Sequence, residues 1–157
     1  MDINVTMNKK HYIGMGIVIV LLLAFMVPRY FSENVTASGM KISGDIEKIE
    51  VIHFHASRQC YSCVTVGELA KETLDTYFSK ELNSGEIIFE HVNIDLSENS
   101  EKVNKYGATG SSLIIGTYYR DGTFSKEQNT NVWYKIDNEE SFLSYFKGVM
   151  KSKLLGE

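Results

Sequence analysis

Apolar positions recur along this chain with three different spacings, and each predicts a different element. Ile13 to Val27 is almost wholly apolar. The run Ile46 to Ala56 (Ile-Glu-Lys-Ile-Glu-Val-Ile-His-Phe-His-Ala) starts as an alternation and ends as a continuous apolar stretch. It predicts a strand buried on both faces toward its end. From near Val64 the spacing becomes helical: Val66, Leu69, Ala70, Thr73, Leu74, Tyr77, Phe78 and Leu82 share one face, and Asn83-Ser84-Gly85 supplies the stop. Glu86 to Asp95 predicts a second strand. Ser97 is placed to cap a short helix through Tyr106, with Gly107 past its end.

Ser112 to Tyr119 predicts a third strand, and Arg120-Asp121-Gly122 a hairpin turn in which glycine tolerates positive φ. A fourth strand is expected near Thr123 to Ser125, and an extra extended piece at Val132 to Ile136. The last helix is expected to start at Asp137 or Asn138, with Glu140 placed for a capping interaction. Its apolar stripe is Phe142, Tyr145, Phe146, Val149 and Met150, ending at Lys153. The order is strand, helix, strand, helix, hairpin, helix. The first part reads as a parallel βαβ unit and the second as antiparallel, which together predict an α/β fold with a mixed central sheet and flanking helices.

The N-terminal apolar segment lies outside that pattern. From His11 to Pro28 there is no formal charge; Lys9 and Lys10 precede the segment and Arg29 follows it. About 18 helical residues span about 27 Å, near the ~30 Å of a bilayer's hydrocarbon core. Tyr12 at one end, and Tyr30 and Phe31 at the other, suit the two interfaces. A buried core helix would show a polar stripe, and this segment has none. A cleaved signal peptide would need a small-residue site close behind the apolar run. The best one, Val35-Thr36-Ala37, lies some ten residues beyond it. The expected organisation is therefore a tail over 1–10, a single transmembrane anchor over 11–31, a polar linker over 32–45 and a folded domain over 46–157. The lysine pair favours a cytoplasmic N-terminus and an extracytoplasmic domain.

Composition narrows the chemistry. The 157 residues carry a formal charge of −4 and no basic stripe, so nucleic acid is not an expected partner. The chain has only two cysteines, Cys60 and Cys63, too few for the disulfide framework of a small secreted scaffold. They stand where the first strand gives way to the first helix. A sulfur at a helix N-terminus meets unsatisfied N–H groups and the positive end of the macrodipole, which favour the thiolate. The thiolate is the form that attacks disulfides. A structural disulfide and half of a metal site are the other uses of such a pair. Trp133, the single tryptophan, reads as a packing residue, and Asp95, Asp121 and Asp137 as strand-end, turn and cap residues.

With Val51-Ile52-His53-Phe54-His55-Ala56 ahead of Cys60-Tyr61-Ser62-Cys63, Val92-Asn93-Ile94-Asp95 in the next strand, Tyr106-Gly107-Ala108-Thr109-Gly110 leading into Ser111-Ser112-Leu113-Ile114-Ile115, and Arg120-Asp121-Gly122 closing a hairpin, the chain resembles thioredoxin-fold proteins over roughly Glu47 to Leu155. Phe-His-x4-Cys-x-x-Cys is similar to a membrane-anchored branch of that family. The resemblance implies a thiol–disulfide oxidoreductase. Cys60 would be the exposed attacking sulfur and Cys63 the shielded one that resolves the mixed disulfide. Tyr61 and Ser62 would tune the potential and meet substrate. No cofactor is implied. The implied partners are protein thiols and disulfides, a membrane dithiol reductase and the lipid bilayer. Arg58, close in sequence, is a candidate to stabilise the Cys60 thiolate or a solvated loop residue.

The chain departs from the family at two places. Ser112 stands where the family has a cis-proline facing the cysteines, and Ser111 precedes it where the family has a residue whose backbone pairs with the substrate chain. Because a non-proline cis bond costs about 3–4 kcal/mol, a trans Ser111–Ser112 bond is expected. His53 stands where the family has a buried carboxylic acid. His53 is therefore the candidate acceptor of the Cys63 proton, facing His91 from the next strand, with a satisfied core histidine as the alternative. His55 shares the face of His53. The competing class is a carrier of Cu(I) or Zn(II), using Cys60, Cys63 and one histidine, or a redox-silent binding module on the same fold.

Overall fold

The computed structural model describes residues 43–157. The expected anchor over 11–31, the tail before it and most of the linker lie outside the described residues. Among the described residues no helix is long and apolar enough to cross a membrane.

Strand β1 (Ile46–His55) runs into a short loop and helix α1 (Tyr61–Tyr77). Helix α2 (Ser79–Ser84), strand β2 (Ile87–Asn93) and helix α3 (Ser100–Tyr106) follow. Strands β3 (Ser112–Tyr119) and β4 (Phe124–Gln128) form a hairpin, and helix α4 (Glu139–Leu155) ends the fold. The sheet order is β2-β1-β3-β4; β2 runs parallel to β1, and β3 and β4 join antiparallel. This is an α/β architecture with a four-stranded mixed sheet and helices on its faces.

Period-2 alternation divides β1 between two cores. Ile49 and Val51 join Val66, Leu69, Ala70 and Leu74 of α1 and Phe142, Phe146, Met150 and Leu154 of α4 on one face. Ile52 and Phe54 pack with Val92, Tyr106, Ala108 and Ile114 on the other. Glu50 belongs by parity to this second face and is buried. Its carboxylate accepts hydrogen bonds from Tyr106 Oη at 2.7 Å and Tyr118 Oη at 2.9 Å, and it pairs with Lys48 Nζ at 2.7 Å. A Cβ at Gly116 would fall onto the Tyr106 hydroxyl, so glycine lets that tyrosine lie flat on β3 and reach the carboxylate.

Several local expectations are corrected. The first helix starts three residues before Val64, because Cys60 caps it. It breaks at Phe78, which turns wholly into the core, and resumes as α2 up to Gly85 (φ 79°). Ser97 opens a 3-10 turn over Ser97–Asn99, and the α-helix begins only at Ser100. The fourth strand extends to Gln128 rather than stopping at Ser125. The extended piece expected at Val132 to Ile136 is a 3-10 turn over Asn131–Tyr134, which buries Val132 completely and lays Trp133 against the core. Asn138 caps α4, its Oδ1 accepting from the Ser141 N–H at 2.8 Å, so the cap bond does not involve Glu140. Leu154 rather than Lys153 completes the buried stripe, and Lys153 pairs with Glu127 at 2.7 Å.

Candidate functional site

Cys60 is the N-cap residue of α1, with extended backbone (φ −79°, ψ 164°), and its Sγ accepts a hydrogen bond from the Cys63 N–H at 3.2 Å. The two cysteines are joined as a disulfide, with their Cα atoms 5.1 Å apart. Cys60 is exposed and Cys63 half-buried. The same N–H that caps the helix through sulfur is therefore in place to stabilise a Cys60 thiolate once the pair is reduced.

The loop carrying Cys60 is fastened to the end of β2. The Ser57 N–H donates to Asp95 Oδ2 at 2.8 Å, and Asn93 Nδ2 donates to Ser57 Oγ at 3.0 Å. The Ser57 N–H bond holds the Asp95 carboxyl below the usual carboxylate range. Sequence reading placed Asp95 only at a strand end. A serine in the Cys60 loop and an Asn-x-Asp at the end of the parallel neighbour were the available signal.

Behind the cysteines lies a histidine cluster. His53 and His91 are register partners in the β1–β2 pair, so their side chains leave the sheet on one face. Their Nδ1 atoms are 3.0 Å apart, a hydrogen bond that needs one proton between them. His55 stacks on His53 with ring centroids 5.5 Å apart, and its Nδ1 is tied to the Ala56 carbonyl at 2.9 Å. His53 is 1% exposed, whereas His91 is exposed. His53 Nε2 is the one buried side-chain nitrogen or oxygen without a hydrogen-bond partner among the described residues. Burial, then the nearby positive charge available to His91 and His55, pushes the His53 imidazole down from 6.5 to about 4, and the Cys63 backbone pulls weakly the other way.

Gly67 makes room for this cluster, a role that sequence reading missed. It lies one helical turn after Cys63, on the sheet-facing side of α1. A Cβ there would collide with His53 Nδ1 and stand 2.9 Å from His91 Cε1. A small residue inside the otherwise apolar helix face was the only sequence signal.

The remaining expected residues fall at the same end of the sheet. Tyr61 is 81% exposed beside Cys60, and Ser62 is half-buried. Ser112 is buried, opposite Phe54 at the start of β3, and Ser111 is half-buried. No peptide bond among the described residues is cis, so Ser111–Ser112 is trans. Antiparallel pairing brings the start of β3 to the C-terminal end of β1, from which the cysteine loop departs. Arg58 is exposed and takes part in none of the ion pairs among the described residues. No group of three or more His, Cys, Asp or Glu side chains among the described residues is arranged to hold a metal ion.

No family model, curated protein or solved structure matches this chain.

Proposed function

We propose that this chain is a membrane-anchored thiol–disulfide oxidoreductase of thioredoxin-like fold, with the cysteine domain outside the cytoplasm. The observation that carries the reading is an exposed Cys60 capping α1, within bonding reach of a half-buried Cys63. A reduced Cys60 thiolate attacks a protein disulfide; one substrate sulfur leaves as thiolate and a Cys60 mixed disulfide forms. Cys63 then attacks Cys60 Sγ, the Cys60–Cys63 bond closes and the second substrate sulfur leaves. The substrate is reduced by two electrons and the dithiol is oxidised. A second dithiol protein, such as a membrane reductase, resets the pair. Tyr61 and Ser62 meet the incoming chain, and Ser111 and Ser112 border it from β3.

The anchor over 11–31 rests on the uncharged stretch from His11 to Pro28, and retention of the chain in membranes through alkaline carbonate extraction is its check. The chemistry is tested by alkylating the reduced full chain, in detergent, with iodoacetamide across pH. Cys60 is expected to titrate below the ~8.5 of an ordinary thiol, and to react well ahead of Cys63. A Cys60 that titrates like free cysteine and reacts no faster than Cys63 would overturn the reading.

A further inference from the structure

We propose that His53 and His91 form a two-ring proton path from Cys63 to water, along which the proton given up by Cys63 leaves through His91 instead of remaining on His53. The proposal rests on the exchange reading above and deepens it.

The geometry supplies the two joined rings and an outlet to water, and the step from Cys63 to the inner ring is the proposed addition. At the inner end, His53 Nε2 is buried and unpartnered, on a ring packed against Gly67, one helical turn after Cys63, and the His53 imidazole also feels the Cys63 backbone. In the tautomer where His53 Nδ1–H donates to His91 Nδ1, that orphan Nε2 is a bare acceptor. At the outer end, His91 is exposed, and its second nitrogen exchanges protons with water. The transfer balances. Cys63 S–H gives its proton to His53 Nε2 as its sulfur attacks Cys60. His53 Nδ1–H passes to His91 Nδ1, and His91 Nε2–H passes to water. Both rings end neutral with their tautomers exchanged, and the reverse shift resets them.

Keeping the proton on His53 is the poorer arrangement. A charged His53 would be wholly buried, beside His55 stacked at 5.5 Å and with no carboxylate against it. Burial, then His55 and Lys71, also push the His91 imidazole down, with Glu68 opposing, but His91 is exposed to water whereas His53 is not. His91 is therefore the better site for a proton in transit. Gly67 fits the same account, since a side chain there would push the two rings apart.

The test separates the two sulfurs' steps. The reduced full chain in detergent is mixed with 5,5′-dithiobis(2-nitrobenzoate) in a stopped-flow instrument. The first thionitrobenzoate released reports Cys60 attack, and the second reports Cys63 resolution. His91→Gln, which keeps a hydrogen-bonding group but relays no proton, is expected to leave the first phase within about twofold. It should slow the second about tenfold at neutral pH, a modest share of the ~10²–10⁴ typical of general acid–base catalysis. His91→Ala should show the same defect and recover most of the rate with millimolar imidazole. A proton inventory in mixed H2O/D2O should bow for the parent chain and straighten in His91→Gln. A second phase within twofold of the parent in both variants overturns the path. So does an equal slowing of the two phases, or a defect that imidazole does not relieve. Absence of the first phase in the parent chain overturns the exchange reading and the path with it.

Discussion

Cys60→Ser should abolish catalysed disulfide exchange, lowering turnover by at least about 10³, while Cys63→Ser should convert the protein into a trap that accumulates a covalent adduct on Cys60. A serine hydroxyl does not ionise near neutral pH, so the attacking species is lost entirely. The substitution is also structurally mild. Cys60 is exposed, and serine is a favoured N-cap whose Oγ can take over the Cys63 N–H now bound by sulfur. Loss of activity with helicity and unfolding midpoint matching those of the reduced parent chain, which also lacks the Cys60–Cys63 bond, would therefore locate the defect in chemistry rather than folding. In Cys63→Ser the first attack proceeds and the second does not, so intact mass should rise by one substrate thiol. The outcome that sinks the assignment is the reverse pattern, with adducts held by Cys63 and activity surviving in Cys60→Ser.

The elements legible in the sequence were those set by local periodicity. β1 could be read because its alternation collapses into a continuous apolar run, and its two faces do enter two cores. β3 and the turn at Gly122 (φ 85°) could be read because a long apolar strand ends at a turn tripeptide. The elements misread depend on tertiary packing. Phe78 and Leu82 continue the helical spacing of α1, yet burying Phe78 breaks the helix between them, and periodicity alone carries no sign of that. Val132 and Trp133 suit a strand, but they cover the core from a 3-10 turn. The site shows the same division. Cys60, Cys63 and the facing His53–His91 pair follow from motif and register. The room left by Gly67 and the Ser57–Asp95 brace arise only when α1 packs on the sheet and the loop closes on β2.

Stability should fall as pH drops from about 6.5 to about 4, and His53 should account for most of the loss. In the unfolded chain its imidazole titrates near 6.5; in the folded chain burial, with His91 and His55 alongside, holds it to about 4. Between those values the unfolded state binds the extra proton, so unfolding becomes easier as pH falls. The contribution is complete above 6.5 and gone below about 4, and it is worth about 3 kcal/mol. Urea midpoints at intervals between pH 7 and 4 should fall steeply for the parent chain and only shallowly for His53→Gln. Parallel profiles would show that the folded protein binds this proton as readily as the unfolded one. Glu50 belongs to a lower window. Burial raises its carboxyl, but the hydrogen bonds from Lys48, Tyr106 and Tyr118 outweigh that and hold it below the ordinary carboxylate value. Its contribution therefore persists above the unfolded carboxylate value of ~4.3 and disappears as pH falls further. An acid transition that begins near pH 6, before carboxylates protonate, consequently points to the His53–His91 pair, because burial lowers His91 as well. The low basicity that makes His53 an acid-sensitive point of the fold also makes it a poor final acceptor for the Cys63 proton, and this ties the stability measurement to the path through His91.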